Sequence, residues 1–134
     1  MRSLGLSVLI VLATAACGAN AGGTTDRSGG VSQEQADETM TVLCDIAEGR
    51  VTAFEEARAS FQNRAHETLH HVAAAAQEED TASAAALLEA KSVVETDLEQ
   101  DQAPAELAVH TAALADATAG AIRLIGLAAE PCSG

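Results

Sequence analysis

The chain has 134 residues, of which 48% are hydrophobic and 20% charged, and its formal net charge is −13. This length accommodates one small domain. Affinity for DNA or RNA comes mostly from neutralising phosphates, so such an acidic chain excludes a nucleic-acid partner. The absence of Trp and Tyr argues against a base-stacking platform or an aromatic hot spot. Because Ala dominates the apolar residues and favours helices, the composition predicts an all-α domain.

The first sixteen residues have the layout of a secretory signal peptide. Arg2 provides a short basic start, an apolar run follows over residues 4–11, and small residues come next. This run is too short to cross a bilayer as a helix. We therefore predict a signal peptide over residues 1–16 and an exported mature chain.

The end of this segment, Thr14-Ala15-Ala16-Cys17, is similar to the lipobox of bacterial lipoproteins. A lipobox places an apolar residue and two small residues before the cysteine that receives lipid. The resemblance implies cleavage before Cys17 and attachment of lipid with palmitate-type acyl chains to Cys17, which would anchor the protein to the cell membrane on its extracytoplasmic side. The alternative is an ordinary cleaved signal peptide followed by an unlipidated cysteine.

Residues 17–32 are rich in Gly, Ser and Thr and show no apolar periodicity. We interpret them as the lipidated cysteine followed by a flexible tether. A tether of this length has a reach of roughly 20 Å, so the folded part would stay near the membrane without having to touch it.

From residue 33 onward the apolar residues recur at helical spacing, which predicts a bundle domain over residues 33–134. The first helix is predicted over residues 33–47, with Gly49 ending it. The second is predicted to begin with a capping box formed by Thr52 and Glu55 and to end near residues 77–80.

The third predicted helix begins after Asp80 or Thr81 and ends near Gln100, and the fourth runs from Pro104 to Gly126. Four helices with short connections predict an antiparallel four-helix bundle. In its general layout, the mature part resembles the small uncharacterised helical lipoproteins that are common in actinobacteria.

Three cysteines in an exported protein leave one unpaired thiol. If Cys17 carries the lipid, Cys44 and Cys132 form the obvious disulfide, and this bond would staple a thin, Ala-rich core. The alternative is that both remain free thiols.

The string HETLH at residues 66–70 matches H-E-x-x-H, the signature of zinc peptidases of the zincin family. The resemblance implies that His66 and His70 bind zinc and that Glu67 is the general base, which makes Glu67 the one candidate catalytic residue. Residues four apart lie on one face of a helix, so the two imidazoles are able to share a metal ion.

Other features disfavour a zincin. Such enzymes supply a third ligand downstream, and none is evident here, where Glu89, Glu95 and His110 are no more than candidates. These enzymes also pair the helix with a sheet that this sequence does not predict. At about 100° per residue, the motif and the neighbouring His71 point away from the apolar stripe, towards solvent. A surface metal site and a solvated polar face remain open as alternatives.

Arg58 and Lys91 fall near the apolar stripes of the second and third predicted helices. We expect their aliphatic stems to cover the core while their charged ends reach water. The alternative is a paired buried charge or an anion-binding site at the end of the bundle.

Three functions follow from these observations. The first is a non-enzymatic protein of the cell envelope, anchored through Cys17, that binds a protein partner or serves a structural role. The second is a module that binds zinc or another metal at His66 and His70, and the third is a zinc hydrolase that also uses Glu67. An apolar groove without a polar role would favour the first function. This first function is our interpretation, and it requires no cofactor.

Overall fold

The computed structural model describes residues 26–134, and most of these residues are helical. The helical elements are α1 (Gln33–Ala47), α2 (Phe54–Ser60), a π-helical turn (Phe61–Ala65), α3 (His66–Glu79), α4 (Thr81–Leu98) and α5 (Leu107–Leu124). Because α2, the π turn and α3 follow one another without a break, they form one helical rod, and the described residues contain four such rods in all. These residues contain no strand. The predicted four-helix bundle is confirmed. The predicted signal peptide and Cys17 lie outside the described residues.

The bounds of α1 agree with the prediction because both ends have strong local signals. The Ser32 hydroxyl accepts a hydrogen bond from the backbone N–H of Gln35, whose side chain accepts one from Ser32 N, which makes a complete capping box. After the helix, Gly49 adopts φ +69°, a left-handed conformation that suits glycine.

The capping box predicted at Thr52 is wrong. The N-cap of α2 is Ala53, which makes no side-chain cap hydrogen bond. Because the helix begins one residue later than predicted, Glu55 lies at the second helical position rather than the third, out of register for a capping box.

The start of α4 agrees with one of the two predicted positions, whereas the start of the last helix does not. Asp80 caps α4 by accepting a hydrogen bond from Ala82 N at 3.1 Å. The last helix begins at Leu107 rather than Pro104, since Pro104 belongs to a preceding turn in which its carbonyl accepts from Leu107 N at 3.2 Å.

The rods pack as a closed ring. Helix α4 contacts both α3 and α5, α5 also contacts α1, and α1 contacts the π turn and α3. The fully buried side chains include one aromatic ring, Phe61, and a set of aliphatic residues. The largest of these aliphatic residues are Leu43, Leu69, Leu87, Leu98, Leu114, Ile122 and Ile125. Leu88 on α4 is 40% exposed.

Residues 26–32 pack against the bundle before α1 begins. Val31 is buried, and a Cβ on Gly29 would lie 2.9 Å from the Cβ of Ala75, so glycine allows the chain to approach α3 closely. Arg27 lies 3.9 Å from Glu79 at the end of the same helix.

The disulfide between Cys44 and Cys132 closes the fold. Their sulfur atoms are 2.06 Å apart and their Cα atoms 5.2 Å apart, across 88 residues of sequence. Cys44 lies on α1 and Cys132 in the irregular segment after α5, so the bond fastens the C-terminal segment to the first helix.

Candidate functional site

A polar cluster lies where α3 meets α4. Lys91 is only 3% exposed, although its position on the apolar stripe led us to expect its charged end in water. That expectation is wrong because Glu95, one turn further along α4, brings a carboxylate to it: Lys91 Nζ donates to Glu95 Oε1 at 2.5 Å. The charges therefore neutralise each other inside the contact between the two helices.

His66 reaches the same carboxylate from α3. Its Nδ1 lies 2.9 Å from Glu95 Oε1, which is ion-pair distance, but the two groups are not aligned as a hydrogen bond, and this buried nitrogen has no hydrogen-bond partner. The side chain is 35% exposed. The prediction that His66 points fully to solvent is therefore wrong.

His70 lies beside His66, with the ring centroids 4.8 Å apart and the ring planes at 68°. Partial burial is the largest cause that lowers the pKa of His70, followed by the positive charge of Lys91. The same environment favours the neutral imidazole, the form that binds a metal ion.

Glu67 and His71 point outward, as the helical spacing predicts. The Glu67 side chain is 90% exposed, and its Oε1 lies 3.6 Å from His71 Nε2. The carboxylate that meets the imidazole of His66 is thus Glu95, and Glu67 lies away from it on the open face of α3.

The π turn explains why His66 is turned inward. Ala57, Phe61, Ala65 and Leu69 are all buried and are spaced by four residues, so on a regular helix each step would rotate the stripe by about 40°. The wider turn, in which His66 N donates to Phe61 O, offsets this drift. The run of four-residue spacings was the sequence signal for the turn, and a uniform 100° per residue missed it.

The cluster gathers two imidazoles and one carboxylate, but its donor atoms do not all converge. Within residues 26–134, the one set of three metal-ligand residues whose donor atoms all lie within 4.8 Å of one another is Cys44, Glu48 and Cys132. Glu95 is the candidate third ligand that contacts His66, and the oxygen that faces His66, Glu95 Oε1, already accepts a hydrogen bond from Lys91 Nζ. A metal ion at His66 and His70 would have to displace that ammonium.

A groove of small side chains runs between α4 and α5. It comprises two open cavities of about 490 and 280 Å³ that meet at Ala86. The residues that line them are mostly small and apolar. They are Ser83, Ala86, Glu89, Ala90, Val93, His110, Ala113, Ala117, Gly120, Ala121, Arg123 and Leu124. Sequence reasoning did not find this groove because its alanines look the same as those in the core.

A second histidine–carboxylate pair lies at one end of the groove. His110 Nδ1 is 2.6 Å from Asp97 Oδ2, a contact that joins α5 to the last turn of α4. Glu89 and His110, two candidate zinc ligands, line the groove. They belong to the contact between α4 and α5, whereas His66 and His70 belong to α3.

Comparison with protein-family models, with curated proteins and with solved structures finds no match for this chain. None of the described helices combines the length and apolarity needed to cross a membrane.

Proposed function

We propose that this protein is a non-enzymatic binding protein of the cell envelope, exported, anchored by lipid on Cys17, and built to receive a helix of a partner protein in the groove between α4 and α5. The observation that carries the proposal is the groove itself. It is lined mostly by Ala, Gly and Val, and Val93 on its wall is 38% exposed. An amphipathic helix in an apolar groove is a recurring mode of peptide recognition.

The dimensions of the groove suit a helix. Its lining residues on α5 run from His110 to Leu124, which is about 20 Å at 1.5 Å per residue, or nearly four turns. Small side chains let a partner's backbone approach closely, as they do at other helix–helix contacts.

Charge favours a basic partner over a second copy of this chain. The net charge of the chain is −13, whereas the groove wall itself carries one acidic and one basic residue, Glu89 and Arg123. Two copies would repel each other, whereas a helix with an apolar ridge and Lys or Arg flanks would gain electrostatic complementarity.

A defined probe tests the groove. Two synthetic amphipathic helices share one Leu/Ala ridge and carry either Lys or Glu flanks, and each is titrated into labelled protein spanning residues 26–134. We expect the Lys peptide alone to shift the NMR amide signals of Ala86, Ala117 and Gly120, and added salt to weaken this binding.

Ala117→Arg blocks the groove, and Thr41→Arg on the exposed face of α1 is the control with the same change in charge. We expect the first to abolish the shifts and the second to leave them. Shifts confined to other helices, or binding that Ala117→Arg leaves intact, would contradict the proposal. Dimerisation through the same residues without peptide would assign the groove to a second copy instead.

The anchor has its own test. When the full sequence is expressed in a bacterial host, metabolic labelling with an alkyne-bearing fatty acid should mark the protein. The labelled protein should be found in the membrane fraction. Cys17→Ser should lose both the label and the membrane association, whereas Cys132→Ser should keep both. Labelling that survives Cys17→Ser would refute the lipobox interpretation.

A metal-binding module at His66 and His70 is the second candidate. The buried, unpartnered Nδ1 of His66, close to the Glu95 carboxylate, favours it. Calorimetric titration of the oxidised protein with zinc and with copper should show stoichiometric binding that His66→Ala/His70→Ala abolishes. No heat of binding would remove this candidate and the hydrolase that depends on it.

A further inference from the structure

The last turn of α1 brings a third metal-ligand side chain to the disulfide. Cys44 and Glu48 are four residues apart and lie on one face, and Cys132 comes from the segment after α5. The two sulfur atoms and a carboxylate oxygen all lie within 4.8 Å of one another. Bonded sulfurs are always close together, so the informative member of this set is Glu48.

The carboxylate of Glu48 is only half satisfied. Arg50 Nη1 donates to its Oε2, while its Oε1 is buried and has no hydrogen-bond partner. A buried carboxylate oxygen without a donor is unfavourable. In the disulfide form the neighbouring sulfurs carry no proton to offer it, so the oxidised site leaves this oxygen without a partner.

We propose that reduction of the disulfide converts this place into a zinc site with Cys44, Cys132 and Glu48 as ligands and water in the fourth position. Two thiolates and one carboxylate are a donor set that Zn²⁺ accepts in tetrahedral geometry. The metal gives the buried Oε1 of Glu48 the positive partner that it lacks. This site is separate from the groove and from the histidine cluster.

The fold allows the required movement. Zinc–sulfur bonds of about 2.3 Å hold two thiolates further apart than a disulfide does, so the sulfurs must separate. Cys44 lies on α1 and Glu48 is the C-cap of that helix, where Glu48 N donates to Cys44 O at 2.9 Å. Cys132 lies in irregular chain, which adjusts more readily, and the hydrogen bonds between Gln33 and Ala128 keep that chain near α1.

The local charges are compatible with a cation. Arg50 also donates to Asp45 Oδ1 at 2.6 Å, so its charge is shared between two carboxylates. The Asp45, Glu48 and Arg50 side chains together carry one net negative charge. Two thiolates add two more, which attract Zn²⁺.

The chemistry balances with a dithiol reductant. The Cys44–Cys132 bond breaks and takes up two electrons and two protons, while the dithiol is oxidised to its own disulfide. Zn²⁺ then displaces the two thiol protons to solvent and binds the thiolates.

The test uses the chain over residues 26–134, kept reduced by a phosphine under anaerobic conditions. Co²⁺ replaces Zn²⁺ as a spectroscopic probe, because thiolate ligands give a charge-transfer absorption in the near ultraviolet. We expect this absorption at one equivalent of Co²⁺, its loss on adding Zn²⁺, and none with the oxidised protein. Circular dichroism should show that the reduced chain remains helical with the metal bound.

Glu48→Gln distinguishes a three-residue site from a pair of thiols. Loss of an outer-shell partner alone typically weakens metal affinity about tenfold or more, so loss of this ligand should weaken Zn²⁺ binding by at least that factor. Glu34→Gln, on the exposed first turn of α1, should leave the affinity unchanged. The proposal is overturned if reduced protein shows no charge-transfer absorption, or if Glu48→Gln binds as tightly as the parent chain.

Discussion

Lys91 shows how a single buried charge acts on the side chains around it in this bundle. Its ammonium is buried against Glu95, because a charge removed from water needs a paired opposite charge. The same ammonium acts on His70 across the α3–α4 contact. Burial and this positive charge together lower the pKa of His70, so this imidazole resists the uptake of a proton.

This environment predicts an acid-sensitive fold. Below roughly pH 6.5 an unfolded chain protonates a histidine readily, whereas the folded chain resists protonation of His70. The unfolded state therefore binds more protons, and stability falls as the pH drops from about 6.5 through the lower pKa of the folded state. His70→Gln should remove part of the stability loss between about pH 7.5 and 5.5, measured by urea unfolding with circular dichroism.

The groups that face His70 define the control for this experiment. Lys91, His66 and His71 lower its pKa, and Glu95 raises it. Lys91→Gln keeps a donor for Glu95 but removes the positive charge, so NMR titration should show a higher pKa for His70. An unchanged pKa in Lys91→Gln would mean that the ammonium does not act on this imidazole.

At the scale of the helices, one arginine joins two of them. Arg58 on α2 donates from Nε to Leu98 O and from Nη2 to Gln100 O, both at 2.6 Å, at the C-terminal end of α4. A positive charge at this end is favourable, since it satisfies free carbonyls and opposes the helix dipole. Its charged end therefore contacts backbone rather than water alone, which differs from our sequence-based expectation.

Arg58→Met keeps the apolar stem and removes these hydrogen bonds. We expect a loss of about 1–2 kcal/mol in the free energy of unfolding, measured by urea denaturation. Arg64→Met removes an exposed pair with Glu38 on a neighbouring element and should cost less than about 0.5 kcal/mol. Equal losses in the two variants would contradict a capping role for Arg58.

The π turn leads to a prediction about single-residue deletions. Deleting the exposed Gln62 should convert the turn to a regular helix while keeping the buried faces on either side in register. Deleting the exposed Ala74 from the regular helix α3 should rotate the following residues by about 100° and expose part of the core. Thermal unfolding should therefore show a much larger loss for the Ala74 deletion, and similar losses would refute this account of the turn.

These elements also show what sequence reasoning is able to reach. The bounds of α1 and the cap at Asp80 were predictable because local hydrogen bonds and apolar spacing determine them. The inward turn of His66 was missed because it depends on a change of helical period. The paired burial of Lys91 was only the alternative in the sequence analysis. Its i, i+4 spacing from Glu95 is local, but the burial comes from the packing of α4 against α3, which no local pattern reports.

At the scale of the whole molecule, the disulfide compensates for a core that is rich in alanine. The buried apolar residues include many alanines and one aromatic ring, and alanine contributes little buried area per residue. A small domain with such a core commonly needs a covalent staple. Because the bond links α1 to the segment after α5, it closes nearly the entire fold into one loop.

Reduction of this bond should therefore have the largest single effect on stability. For cysteines separated by 88 positions in the sequence, the chain-entropy model gives a loss of about 4.5 kcal/mol. Cys44→Ser/Cys132→Ser should lower the urea midpoint by an amount that matches reduction of the parent protein in metal-free buffer. If the parent protein loses stability on reduction but the double variant does not differ from the oxidised parent, then the loss would come from the reductant. If neither loses stability, packing alone holds the bundle together.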